Sequence, residues 1–255
     1  MAKVIMDMAV RSNQSMPGSQ YFVLKLVSDS ELPEIKPGQF AEVYVEGADV
    51  LLRRPISIHY VDRQNKELWL LVQKVGKGTR KMSELKENDT VNVVFPLGNG
   101  FTIPEKSEKV LLVGGGVGIA PLLQLGRELE NAGADVSYLL GAKGKSDLVE
   151  LEVYSKYGEV FTSTEDGSLG EKGFVTQNSA FNGKSYDRIY TCGPTPMMKA
   201  VAKIALEKGI DCEVSLENKM ACGLGACLCC VEDTKEGHKC VCSDGPVFNV
   251  KDLKW

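Results

Sequence analysis

No excess of basic charge, no unbroken apolar run and no internal repeat mark this sequence, and each absence removes a class of function. Lysine and arginine number 30 against 34 acidic residues, a formal net charge of −4, and the lysines are scattered among the acids rather than clustered. Nucleic acid and anionic membrane are thereby excluded as the main partner, which leaves a small molecule or another protein. The longest apolar stretch, Val110 to Leu125, is cut by four glycines and by Pro121, so it does not read as a membrane span. The opening MAKVIMDMAV lacks a basic segment followed by an apolar core and a small-residue cleavage site. A soluble, cytoplasmic protein is the expectation.

With 43% hydrophobic residues in 255 and no low-complexity segment, the chain has enough apolar mass for one large core or, better, two modest ones. Cysteine is plentiful but concentrated: six of the eight lie between Cys222 and Cys242. A secreted disulfide framework would suit a much shorter chain, so the crowding points to metal.

From Lys3 to about Gly98 the chain reads as short alternating segments, among them YFVLKLVS, QFAEVYVE, ISIHYV, ELWLLVQKV and TVNVVFPL, separated by turn signals such as Lys36-Pro37-Gly38. Six short strands at this spacing predict a small antiparallel barrel, with one helical pattern, Arg80 to Lys86, between the fifth and sixth. After PLGNGFTIPEKSEK the rhythm becomes strand, glycine turn, helix: KVLLV, GGGVGIAP, LLQLGRELENAG, then DVSYLLG. A second unit runs DRIYTCG into PTPMMKAVAKIALEKG, and CEVSL adds a last strand. Strands alternating with helices predict a mostly parallel, Rossmann-like sheet whose ligands sit at the carboxyl ends of the strands. The expected division is therefore a barrel domain over residues 1–100, an α/β domain over 101–215 and a cysteine-rich segment over 216–255.

Cys222, Cys227 and Cys230 follow the spacing C-x4-C-x2-C, which is that of plant-type [2Fe–2S] centres, and the intervening GLGA lets the backbone wrap closely round an inorganic core. Cys240 and Cys242 compete to supply the fourth thiolate, and Cys242 is preferred. Cys229, between two ligands, is expected to point away. Zinc is the competing reading, but zinc sites usually pair C-x2-C with C-x2-C.

Gly114 to Pro121 follows a strand and opens a helix, so its free amides suit a pyrophosphate, although it is not a full G-x-G-x-x-G and no acidic residue ends the next strand to grip a ribose. Thr191-Cys192-Gly193-Pro194 repeats the arrangement, and two such turns at one sheet edge can hold two ends of a dinucleotide. At least one of Met197 and Met198 is expected to be core. In the barrel, Arg53-Arg54-Pro55-Ile56-Ser57 and Val75-Gly76-Lys77-Gly78-Thr79 combine a planar guanidinium donor with a glycine turn entering a helix, a site for a phosphorylated planar ligand.

Taken together, R-x-P-[IL]-S at Arg53 to Ser57, G-x-G-x-x-P at Gly116 to Pro121 and C-G-P at Cys192 to Pro194 resemble the ferredoxin-NADP reductase superfamily across nearly the whole chain. Leu216 to Cys227, closed by Val241 to Phe248, is similar to the electron-transfer subunits of class 1B dihydroorotate dehydrogenases. The resemblance implies an FAD-binding barrel, with Arg54, Pro55, Ile56 and Ser57 on phosphate and ribityl groups, Val72, Gln73 and Lys74 beside the flavin, and Gly78 and Thr79 on the pyrophosphate. It implies an NAD-binding sheet using Gly116, Gly118, Cys192, Gly193 and Pro194, and a [2Fe–2S] cluster on Cys222, Cys227, Cys230 and Cys242. Cys229 and Cys240 depart from the family pattern, and Trp255 is not assigned to the flavin. The resemblance further implies an FMN-containing catalytic partner in a heterotetramer, with no catalytic base for the substrate in this chain. A free-standing NAD(P)H reductase for a ferredoxin or oxygenase is the alternative.

Overall fold

The computed structural model describes residues 3–47, 49–105 and 107–255. The first half is a closed antiparallel barrel of β1 (Val4–Ser15), β2 (Tyr21–Val27), β3 (Phe40–Val43), β4 (Arg54–Asp62), β5 (Glu67–Gln73) and β6 (Thr90–Leu97), joined in the order β1-β2-β5-β4-β3-β6. Alternation explains its interior: Phe22, Leu24 and Leu26 of β2 and Leu68, Leu70 and Val72 of β5 point inward against Val91, Val93 and Phe95. Their neighbours Tyr21, Val23 and Leu71 point outward and are also buried, because the second half of the chain covers this side of the barrel. That is why β2 and β5 read as almost continuous apolar runs. The short helix α1 (Lys77–Met82) lies between β5 and β6 and begins three residues before the pattern Arg80 to Lys86 predicted.

The second half is built on β7 (Lys109–Gly115), α2 (Leu122–Asn131), β8 (Asp135–Ala142), α3 (Leu151–Tyr154), β9 (Glu159–Thr164), β10 (Glu171–Lys172), α4 (Ser179–Gly183), β11 (Arg188–Cys192), α5 (Thr195–Lys208) and β12 (Asp211–Ser215). Parallel pairing runs from β10 through β9, β8, β7 and β11 to β12. One face of the sheet packs Val110, Leu112 and Tyr138 under Leu122, Leu125 and Leu129 of α2. The other packs Leu111, Val113 and Ile189 under Met198, Val201 and Ala205 of α5. Helix α5 ends at Gly209, whose left-handed φ of 68° lets its N–H and that of Ile210 turn back on the last helical carbonyls.

The remaining strands are β13 (Val231–Thr234) and β14 (Gly237–Cys240), which form a hairpin, and β15 (Val247–Asn249). β12 is not the last strand of the sheet: β15 pairs with it antiparallel, Val214 opposite Phe248. The cysteine-rich segment thus gains a core by donating Cys230, Val241, Cys242, Val250 and Leu253 to the α5 side of the sheet. Among the described residues, no helix is long and apolar enough to cross a membrane.

Candidate functional site

The sheet order reverses between β7 and β11, and the two glycine turns lie there side by side at the carboxyl ends of those strands, where open α/β sheets bind their ligands. Their approach leaves no room for side chains. A Cβ on Gly118 would come within 2.5 Å of Cys192 O and Gly193 N. Above the turns opens a cavity of about 710 Å³ lined by Gly116, Gly118, Gly193, Pro194 and Met197, within the size range of small-molecule sites. Cys192 itself is buried behind this wall, and burial pushes its thiol well above the ordinary value. Met198 is core, whereas Met197 faces the cavity.

Acidic groups missing from the end of β8 reach this cavity from the loops that follow. Asp147 and Glu165 both line it, beside Lys143 and the exposed ring of Phe174. Sequence reading missed them because β9 and β10 are short and polar, so the loop carrying Glu165 had no strand to anchor it in the pattern.

A second cavity, of about 360 Å³, lies between barrel and sheet. Arg54, Pro55, Ile56 and Ser57 from β4, Val72 and Gln73 from β5, and Thr79 from α1 form its barrel wall; Val117, Ala120 and the stretch Ser215 to Asn218 face them. Gly78 is placed where a Cβ would meet Arg54 Nε at 2.6 Å, so glycine there keeps the guanidinium over the turn. The Thr79 hydroxyl accepts from the N–H of Val75 at 3.0 Å and of Gly76 at 3.1 Å, and so is spent on shaping the turn. Lys74 is turned away: its ammonium donates to Ser15 Oγ at 3.2 Å.

Gln73, Val117 and Glu217 line both cavities, which therefore abut. Glu217 keeps contact with solvent through the cavity mouth, yet the surrounding protein lifts its carboxyl above the usual range. It belongs to the candidate site although no spacing rule singled it out.

The thiols gather round the loop 222–230 and the turn after β14. Leu224 N–H donates to Cys222 Sγ at 3.4 Å, Gly225 N–H to Cys242 Sγ at 3.1 Å and Cys242 N–H to Cys230 Sγ at 3.4 Å. The amide of Leu224, helped by Cys227 and Ala226, draws the Cys222 thiol down to about 6, as convergent amides do for a thiolate. Burial pushes Cys242 the other way, to about 12; a bound cation would reverse that. Cys230 and Cys242 are buried, while Cys227 and Cys229 are exposed. Cys240 is half-buried, with its Sγ 3.9 Å from Gly225 O, so it and Cys242 both meet Gly225 of the loop. Among the described residues no group of three or more His, Cys, Asp or Glu side chains closes on one point. Trp255 lies against α5, with Lys199 Nζ 5.6 Å from its ring centroid.

Beneath the loop, the carboxylate of Glu42 on β3 is buried, and neither oxygen has a hydrogen-bond partner. A Cβ on Gly223 would touch Glu42 Cγ at 2.8 Å. Burial raises this carboxyl to about 7 against the pull of Arg53 and Arg54.

Comparison with known proteins bears on both halves. Residues 217–254 match the iron-sulfur cluster binding domain of dihydroorotate dehydrogenase B, and residues 112–203 an oxidoreductase NAD-binding domain. The dihydroorotate dehydrogenase B (NAD(+)) electron transfer subunit of Clostridium acetobutylicum is 43% identical over 216 residues, 84% of this chain and 85% of that one. Its counterpart from Fusobacterium nucleatum is 39% identical over 227 residues, 86% of each. The chain belongs to the family of dihydroorotate dehydrogenase B electron transfer subunits. Among solved structures, a chain of the NADH-dependent reduced ferredoxin-NADP oxidoreductase, studied for flavin-based electron bifurcation, superposes with a TM-score of 0.88 at 32% identity, covering 97% of this chain and 90% of that one. The ferredoxin reductase in carbazole 1,9a-dioxygenase, at 21% identity and a TM-score of 0.71 over 82% of this chain and 67% of that one, shares the fold.

Proposed function

We propose that this chain is the electron-transfer subunit of an NAD-dependent dihydroorotate dehydrogenase. The observation that carries the reading is the contact of three sites in one molecule: a dinucleotide cavity abutting a barrel cavity, with a thiol-lined loop packed on the strand pair that walls the latter. When bound, a flavin converts hydride into single electrons and a [2Fe–2S] centre carries them one at a time, which a nicotinamide alone cannot do. In this reading residues 1–100 hold FAD, 101–215 hold NAD(H) and 216–255 hold the cluster.

Arg54, Pro55, Ile56 and Ser57 would hold the phosphates and ribityl chain of FAD, Val72, Gln73 and Lys74 would stand beside the flavin, and Gly78 and Thr79 would shape the turn that takes its pyrophosphate. Gly116, Gly118, Gly193 and Pro194 receive the nicotinamide nucleotide, and Cys192 shapes the wall behind them. Cys222, Cys227, Cys230 and Cys242 are the cluster ligands. The partner is an FMN-containing catalytic subunit, two copies of each chain forming a heterotetramer, with electrons passing from dihydroorotate through that subunit to NAD⁺. No base for dihydroorotate is assigned in this chain.

A second reading is favoured by the 32% identity to the NADH-dependent reduced ferredoxin-NADP oxidoreductase chain: a subunit of an enzyme of that kind. Anaerobic visible spectra of the purified protein separate the two. Flavin and cluster bands that bleach with NADH, and with dihydroorotate once the FMN subunit is added, support the first. Bands that respond to NADPH and reduced ferredoxin with another partner, and never to dihydroorotate, support the second. A colourless protein containing zinc without sulfide refutes both.

A further inference from the structure

Strand β4 carries an irregularity immediately after its cavity-lining residues. Ile58 faces Leu70 and Tyr60 faces Trp69 across the β4–β5 pair, so His59 is an extra residue with no partner of its own. Such a bulge re-aims a side chain. Here Ile58 and Val61 stay in the barrel core while His59 and Tyr60 both project towards the sheet domain.

His59 is fully buried. Its Nδ1 lies 2.8 Å from Ala120 O and its Nε2 3.0 Å from Glu150 Oε2. A carbonyl only accepts, so Nδ1 donates to Ala120, and Nε2 shares a proton with Glu150, which orients the ring. Glu150 is held in a left-handed conformation, φ 58°, at the start of α3, a state that costs a non-glycine residue energy. Ala120 closes the turn Gly116–Ile119, followed by Pro121 at the start of α2, and it also lines the barrel-side cavity. The adjoining carbonyl, Ile119 O, accepts the Tyr154 hydroxyl at 2.8 Å, so the end of the glycine turn is pinned twice.

We infer that His59 is a positioning residue for hydride transfer: by tying Ala120 to the strand that carries Arg54 to Ser57, it fixes how far the dinucleotide turn stands from the barrel cavity. The inference rests on the proposed function for its chemistry. In that step hydride, two electrons with one proton, passes between the dihydronicotinamide, which becomes NAD⁺, and the oxidised flavin; His59 neither gains nor loses a proton. Other seam contacts, Gln124 Nε2 to Ile35 O at 3.3 Å and Arg127 Nη1 to Val61 O at 3.1 Å, grip α2 further from the turn. A displacement of about 1 Å in such a site can cost on the order of a hundredfold in rate.

The amide of asparagine superposes on imidazole Nδ1 and that of glutamine on Nε2, which separates the two contacts. In the flavin- and cluster-loaded protein, His59→Leu and His59→Gln are expected to lower the stopped-flow rate of flavin bleaching by NADH by about tenfold to a hundredfold. They should also weaken the long-wavelength charge-transfer absorbance, with NAD⁺ affinity nearly unchanged. His59→Asn, which keeps the bond to Ala120, should restore both. Hydrogen exchange of the amides of residues 116–125 should quicken in the Leu and Gln variants and stay as in the wild type in the Asn variant. Equal rates in all three variants, an Asn variant as slow as Leu, or unchanged exchange in every variant would overturn the assignment. If the wild type is not bleached by NADH at all, the proposed function fails, and the exchange measurement alone decides the fate of the His59 contact. Should the Leu variant not fold, Asn against Gln carries the same comparison.

Discussion

Glu42 makes stability depend on pH in a direction opposite to that of most carboxylates. Its two oxygens have no partner, because the nearby arginines are committed elsewhere: Arg53 donates to Glu42 O at 3.3 Å and to Asn92 O at 3.1 Å, and Arg54 to Arg53 O at 3.1 Å. Burial therefore dominates and lifts the carboxyl from 4.5 to about 7. The folded chain keeps a proton that the unfolded chain releases between those values, so folding stability falls as pH rises from 4.5 to above 7 and is level beyond. At about 1.4 kcal/mol per pKa unit the loss is at most about 3.5 kcal/mol, and roughly 2 kcal/mol once solvent screening is allowed for. Under the proposed function, cofactor phosphates near Arg54 and a cluster near Cys222 would both add negative charge beside Glu42, which acts in the same sense. Glu42→Gln removes the ionisation while keeping the shape. Urea titrations of the cofactor-loaded protein, followed by circular dichroism, should find the variant close to wild type at pH 4.5. At pH 8.5 it should unfold at a urea concentration higher by roughly 0.7–1 M, taking a slope of about 2–3 kcal/mol per molar. A difference between the two proteins that is the same at both pH values would refute the reasoning.

Three further outcomes are expected. Cys242→Ser should abolish or destabilise the cluster, while Cys240→Ser leaves the visible spectrum and the iron and sulfide content intact; the reverse result would move the fourth ligand to Cys240. Gly78→Val brings a Cβ to 2.6 Å from Arg54 Nε, so the guanidinium must shift at a cost of about 1–3 kcal/mol, and retained FAD, read by fluorescence after gel filtration, should fall tenfold or more. With Asp147 and Glu165 both lining the dinucleotide cavity, a ligand carrying an extra phosphate meets like charge. Asp147→Asn with Glu165→Gln should narrow the preference for NADH over NADPH by about tenfold in bleaching rates at low salt, and an unchanged ratio would remove these carboxylates from the specificity of the site.

The barrel was legible because alternation with turn signals is a local pattern, and the parallel sheet because glycine turns punctuate KVLLV and DRIYTCG. The cluster segment was legible from spacing alone, since three thiols at C-x4-C-x2-C are brought together by one short loop. What the pattern could not show depends on what covers each face. Tyr21 and Val23 are apolar on the outer side of β2 for a reason found only in the second domain. Strand β9, EVFTST, lacks a sustained apolar run, so neither it nor the acidic loop after it was anticipated. Strand β15 exists only by pairing with β12. Glu217 and His59 lie on seams between units, and His59 owes its direction to a bulge, which periodicity registers only as noise. Lys74 and Thr79 illustrate the converse: the motif placed them at the cavity, while the local hydrogen bonds decide that one side chain leaves and the other serves the turn.

These seams divide the structure's work between two kinds of bond. The cysteine-rich segment is tied down mainly by its backbone. Strand β15 pairs with β12, Leu216 N–H donates to Pro246 O at 2.8 Å, and Asn99 reaches Gly245 O through its backbone at 2.5 Å and Asp244 O through its side chain at 2.9 Å. Gly223 rests on β3, whose Glu42 is paired in register with Pro55 of β4. The separation between the thiol loop and the barrel cavity is thus built into a hydrogen-bonded framework of sheet and loop. The turn Gly116–Ile119 and α2 are held to the barrel differently, by apolar packing against Tyr21, Val23 and Leu71 and by single side chains, with His59, Gln124 and Arg127 reaching across the seam and Tyr154 onto the turn. Under the proposed function, a flavin held by the barrel cavity and a cluster held by the thiol loop would exchange single electrons, and backbone pairing would keep those two sites at a fixed separation. Hydride transfer from a nicotinamide would instead need close contact with a ligand that must enter and leave, and side chains across the seam, such as His59, can adjust the turn for that contact without moving the thiol loop.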